Sequence, residues 1–252
     1  MSATRHRSSY GLDPLQFGDL RLPAGIELPP VAMVIHGGFW RNKYGLDYLD
    51  TFCEAISAAG IATWNIEYRR IGDAGGGWPG TFDDVSAAAD HLQSLAGEFP
   101  LDLDRVAAVG HSAGGHLAFW LSSEKKWIRA AVSLAGVLDL WCAWDMQLSN
   151  SVVTKFLGGS PEDVPERYFR ASPMERLPMG KPQRLFHGTA DTSVPYLISE
   201  RYLQAARDVG DDAKLITFEG SGHFELVNPA TDEFDSVRNE IVKLLASPHW
   251  FF

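Results

Sequence analysis

The chain has 252 residues, of which 45% are hydrophobic and 21% charged, with a formal net charge of -10 at pH 7. That balance belongs to a globular chain with enough apolar side chains for a large core, and it excludes a disordered polymer. The acidity opposes binding to phosphate backbones and to anionic membrane surfaces, so neither nucleic acid nor membrane is expected as a partner.

The length suits one α/β domain over residues 1–252. The first ten residues carry basic side chains but no apolar run follows, which is not the pattern of a signal peptide. No stretch reaches the roughly 18 apolar residues of a spanning helix. Residues 130–144 come nearest, and Asp139 interrupts them. A cytoplasmic protein is expected. Cys53 and Cys142 lie in apolar segments without metal or redox spacing, as expected of two buried, reduced thiols.

In chain order, residues 16–22 suggest an antiparallel edge strand, and 31–36 is the first fully apolar strand. A helix at 46–59 ends before Gly60, a residue suited to the left-handed position past a helix end. A strand at 61–68 precedes a helix at 82–96, with Thr81 as its N-cap and Asp83 and Asp84 in its first turn. Arg69 is expected to pair with Asp83 or Asp84, and the run Gly75-Gly76-Gly77 to form a loop. Then follow a strand at 105–110, a helix at 113–123 and a strand at 128–134. The last units are a strand at 184–187, a helix at 196–209, a strand at 214–218 and a helix at 233–246. Strands apolar on both faces, alternating with helices, imply a mostly parallel sheet covered on both sides. Residues 139–178 break the rhythm as a long, aromatic-rich, lid-like excursion.

Three motifs carry chemistry. Gly110-His111-Ser112-Ala113-Gly114-Gly115 follows a strand and opens a helix, the context of a nucleophile elbow. The glycines allow a tight turn, and the new helix aims its amides at Ser112. A serine hydroxyl needs a base and an orienting acid, and on such sheets they follow it as acid, then histidine. Asp191 follows the strand at 184–187, and His223 sits on a glycine-flanked loop after the strand at 214–218. Asp139 is the rival acid. Among the other histidines, His6 and His249 are terminal and His91 is mid-helix. His111 and His116 are too close in sequence to the nucleophile, and His187 precedes the acid.

The third motif, His36-Gly37-Gly38-Phe39-Trp40, directly follows the strand residues 31–35. Its glycines leave backbone amides free for an oxyanion, and the expected donors are the N–H groups of Gly38, Phe39 and Ala113.

Together these motifs resemble the α/β-hydrolase superfamily, and within it the branch holding the hormone-sensitive-lipase-like esterases and the kynurenine formamidases (arylformamidases). The resemblance runs from about residue 31 to 245, and the aromatic pair after His-Gly-Gly is closest to the formamidases. The expected activity is that of a carboxylesterase-type serine hydrolase with Ser112, Asp191 and His223 as its triad and no metal or cofactor. Its substrate would be a small ester. An aryl formamide is the alternative, and a non-catalytic ligand-binding role the alternative of another class. Trp40, Trp141 and Trp144 are expected to line the pocket. The apolar end, His249-Trp250-Phe251-Phe252, is expected to dock on the body, with a homodimer contact as the alternative.

Overall fold

A computed structural model describes residues 4–246. The C-terminal segment from His249 to Phe252 lies outside the described residues, and so does the expectation attached to it. Eight strands form one sheet in the order β1-β2-β4-β3-β5-β6-β7-β8. They are β1 (Thr4–Ser9), β2 (Phe17–Leu22), β3 (Pro30–Ile35) and β4 (Ala62–Ile66), then β5 (Asp102–His111), β6 (Ala130–Leu134), β7 (Gln183–Gly188) and β8 (Ala213–Phe218). From β4 to β8 every neighbouring pair is parallel, while β2 runs antiparallel to both β1 and β4.

β2 was expected at the edge, but β1 lies outside it. The sequence Thr-Arg-His-Arg-Ser-Ser has no apolar alternation and is mostly exposed, so no hydrophobic signal announces this strand. It is held by the backbone ladder and by Arg5 and Arg7, which both grip the buried carboxylate of Asp19.

The helices are α1 (Asp50–Ala58), α2 (Gly80–Glu98), α3 (Ala113–Glu124), α4 (Leu140–Asp145), α5 (Leu148–Leu157), α6 (Pro165–Ala171), α7 (Leu197–Asp208) and α8 (Asp232–Ala246). Short 3-10 turns occupy Leu46–Leu49, Pro173–Arg176 and Glu225–Val227. Alternation along each strand sorts the core into two layers. Val31, Met33 and Ile35 of β3 belong to the layer that also holds the apolar faces of α2, α3 and α7. Ala32 and Val34 meet Phe52 and Ile56 of α1 and Phe234 and Ile241 of α8 on the other. Each such large side chain contributes about 1.5–3 kcal/mol on burial, so both helix layers are fixed to the sheet. Among the described residues, no helix is long and apolar enough to cross a membrane.

Local details depart from expectation at two places. Thr81 lies inside α2, whose N-cap is Pro79; its hydroxyl instead accepts from the Gly77 N–H and donates to the Arg69 carbonyl. Cys53 is buried but Cys142 is only half-buried, both as free thiols. Arg69 does pair with Asp84, through two guanidinium nitrogens and its own N–H.

The excursion consists of α4, α5 and α6 and the turn after them. Val152, Val153, Phe156, Leu157 and Tyr168 are fully buried in the main core layer. The first turn of α5 is left-handed at Ser149, Asn150 and Ser151, and the Arg41 guanidinium clasps the Ser149 carbonyl and hydroxyl at 2.6 and 2.8 Å.

Candidate active site

Ser112 sits between the end of β5 and the start of α3, with φ 59° and ψ -123°. A non-glycine residue adopts that backbone only where its surroundings enforce it. Here they do so by close approach. A Cβ on Gly110 would lie 2.0 Å from the Gly114 carbonyl oxygen, and one on Gly114 would lie 2.0 Å from that of Ile35. The two glycines let β5 turn into α3 directly against β3, which presents the Ser112 side chain at the C-terminal edge of the sheet.

The loop after β3 comes equally close. A Cβ on Gly37 would stand 2.7 Å from Ser112 Cβ and 2.6 Å from the His111 carbonyl oxygen. Gly38, Phe39 and Trp40 all have positive φ, at 107°, 52° and 56°. Among the described residues, no acceptor takes the N–H of Gly38, Phe39 or Ala113. Ala113 opens α3, so its amide has no partner within the helix.

A buried pair holds this loop at its root. The ring of His36 stacks on Tyr68 at 4.4 Å, and its Nε2 donates to Glu67 Oε1 at 2.8 Å. Glu67 also accepts from the N–H groups of Leu46 and Tyr68. Burial alone would raise the Glu67 carboxyl, but the hydrogen bond from His36 and the nearby Arg70 hold it below its usual value.

On the other side, Asp191 follows β7 and His223 follows β8. His223 Nδ1 lies 2.6 Å from Asp191 Oδ2, and the Asp191 side chain is fully buried. The N–H groups of Ser193 and Val194 donate to Oδ1. His187 Nε2 approaches Oδ2 at 3.3 Å. Burial would raise this carboxyl, but the hydrogen bonds from His187 and His223 hold it well below the ordinary range. The acid is therefore an anion presented to the Nδ1 edge of the His223 ring.

Ser112 and His223 line one cavity of about 440 Å³. Gly38, Phe39, Tyr44, Tyr48, Phe224, Val227 and Asn228 are among the residues that line it. Among the described residues, no Asp, Glu, Lys or Arg side chain lines it. Among the described residues, no hydrogen bond joins Ser112 Oγ to the His223 ring.

The three expected pocket tryptophans are not among its walls. Trp40 is fully buried, stacked on Phe156 at 4.5 Å, with its Nε1–H donating to His116. Trp141 packs on Tyr168, and Trp144 leans on the main core layer. No residue of the excursion lines the cavity. The rival acid Asp139 caps α4 through the Cys142 N–H. His116 bridges Trp40 and the Ala171 carbonyl inside the core, where burial lowers its pKa to about 3.

The family model described as BD-FAE matches residues 19–205. The chain belongs to the BD-FAE family. That match spans the elbow, the His-Gly-Gly loop and Asp191, and stops before His223. A probable isoprenylcysteine alpha-carbonyl methylesterase of Arabidopsis thaliana is 27% identical over 268 residues, covering 94% of this chain and 54% of the relative. The esterase LipC of Mycobacterium tuberculosis (strain ATCC 25618 / H37Rv) is 25% identical over 253 residues, covering 90% and 61%. The chain thus spans less than two thirds of the length of these relatives.

Among solved structures, a truncated carbohydrate esterase from gut microbiota superimposes with a TM-score of 0.84 at 20% identity, over 98% of this chain and 97% of that one. A bacterial heroin esterase superimposes at 0.81 with 23% identity, over 98% and 86%. Together with the strand order, these likenesses identify the architecture as the α/β-hydrolase fold.

Proposed function

We propose that this chain is a serine hydrolase that cleaves small, uncharged carboxylic esters through an acyl-enzyme on Ser112. The observation that carries the reading is the shared cavity: Ser112, on its strained turn, faces the same space as a histidine already bonded to a buried carboxylate. Esterase names among the relatives support the ester class.

In this mechanism Ser112 Oγ attacks the carbonyl carbon while His223 Nε2 takes the hydroxyl proton. Asp191 keeps the other proton on Nδ1 and stabilises the imidazolium that forms. The carbonyl oxygen becomes an oxyanion, held by the unpaired N–H groups of Gly38, Phe39 and Ala113. His223 then protonates the departing alcohol, and the same groups activate water to release the acid. A cavity whose described walls carry no ionisable side chain of Asp, Glu, Lys or Arg favours neutral substrates over ionised ones.

A fluorophosphonate probe and a series of short p-nitrophenyl esters test the proposal. Labelling and turnover should both vanish in Ser112→Ala. An unlabelled, folded wild type would instead leave the chain as a ligand-binding member of the fold. A hundredfold preference for an aryl formamide over every ester would transfer the reading to the formamidases.

A further inference from the structure

His111 and Tyr48 are absorbed by none of the roles above, yet both touch the cavity. Tyr48 lies in the 3-10 turn Leu46–Leu49, whose first amide is pinned by Glu67. Its Oη accepts the Gly37 N–H at 2.6 Å and lies 3.0 Å from His111 Nδ1. His111 Nε2 in turn lies 2.9 Å from the carbonyl oxygen of His223.

The ends of this chain of contacts fix its direction. The Gly37 amide can only donate, so the Tyr48 oxygen accepts there, and toward a neutral His111 that donates through Nε2 its single hydrogen points to Nδ1. That nitrogen then has no hydrogen of its own. The ring proton must sit on Nε2, where the His223 carbonyl can only accept it. For a neutral His111 ring, as its burial favours, no other assignment satisfies all three contacts.

We infer that Tyr48 and His111 form a one-way hydrogen-bond relay that sets the oxyanion loop, the nucleophile turn and the base loop relative to one another. They are positioning residues. Gly37 precedes two of the three unpaired amides, His111 precedes Ser112, and the relay ends on the backbone of the base itself. The inference takes its catalytic meaning from the function proposed above, but the relay itself is independent of it.

The His111 ring also lies 4.5 Å from the His223 ring, so its charge state bears on the reaction. The groups facing it are His223, Asp191 and His187 beyond it, Tyr48, and the ring of Phe224. Burial, then the neighbouring His223, lowers the pKa of His111 to about 3. A neutral ring leaves His223 free to become an imidazolium without a like charge beside it. The Tyr48 hydrogen occupies the one nitrogen that a second proton would need.

Two readouts test this on the full chain. In 15N-histidine spectra of the wild type, His111 should stay protonated at Nε2 alone, without titrating between about pH 5 and 8. In Tyr48→Phe, kcat should fall about tenfold or more with KM within about twofold, and the Gly37 amide should exchange at least about tenfold faster. His111→Gln, which can reach the His223 carbonyl but cannot also span to Tyr48, should show the same split of kcat from KM. It stands in if Tyr48→Phe does not fold. A wild-type His111 protonated at Nδ1 overturns the relay. So does a folded Tyr48→Phe protein with unaltered Gly37 exchange, or with kcat within twofold of wild type. If Ser112→Ala keeps full turnover, the proposed function fails, and the tautomer and exchange measurements alone decide the relay.

Discussion

Asp191 Oδ2 stands 2.6 Å from Nδ1 of His223, although 32 residues separate the two in the chain. The contact exists because β7 and β8 are parallel neighbours, so the loops leaving them emerge side by side. The carboxylate is further held by the N–H groups of Ser193 and Val194, which leaves it little freedom to turn away.

Asp191→Asn keeps the shape of this contact but can present an N–H where His223 also donates. The imidazole is then driven to the wrong tautomer. Turnover of p-nitrophenyl acetate should drop by about 10³–10⁴ in kcat, the scale of losing this role in other serine triads. A loss below tenfold would remove Asp191 from the mechanism.

Gly37→Ala places a methyl group within 2.7 Å of Ser112 Cβ and 2.6 Å of the His111 carbonyl oxygen. Both neighbours are pinned by the strand-to-helix turn, so the loop itself must move away. Displacing its amides from the oxyanion should cost about 10²–10³ in kcat, with KM much less affected. Retained turnover would mean that the loop does not hold the oxyanion.

Asp139 is a helix cap, so Asp139→Ala should act on stability. Losing an N-cap side chain costs about 1 kcal/mol. Urea unfolding should detect that loss, while kcat on p-nitrophenyl acetate stays within about twofold of wild type. A thousandfold loss of turnover would restore Asp139 as the acid.

His111 and His116 shape the acid stability of the fold. Each is buried neutral, with its pKa lowered by burial to about 3 against about 6.5 in the unfolded chain. Above the unfolded value both states are neutral and stability is complete. As pH falls from about 6.5 toward about 3, only the unfolded chain takes up these protons, so stability is lost at about 1.4 kcal/mol per pH unit for each ring. In His116→Gln, the dependence of unfolding free energy on pH over this window should be shallower by about one proton. An unchanged slope would show that His116 is not a neutral buried group.

The sequence made the two halves of the site legible to different degrees. Ser112, Asp191 and His223, the triad proposed above, drew notice because each sits in a short pattern just past a strand end, with glycines beside Ser112 and His223. The strands of the buried sheet were legible because two-sided burial demands continuous apolar runs. β1 was not, because backbone pairing and the ion pairs to Asp19 form it without any hydrophobic code. Glu67, Tyr48 and His111 were missed as partners of the site. A charged residue at the end of an otherwise buried strand was the one available hint, and it pointed to Glu67.

The order of the elements, the elbow, the His-Gly-Gly loop and the acid-then-histidine order are properties of neighbours along the chain, and the sequence by itself determined them. The walls of the cavity were decided only by the tertiary structure. Positive φ at Phe39 and Trp40 turns the loop so that the Trp40 ring enters the core against Phe156, while Tyr44, Tyr48 and Phe224 face Ser112 instead. Which way a side chain points after such a turn depends on what the crossovers have packed behind it, and residue spacing does not encode that.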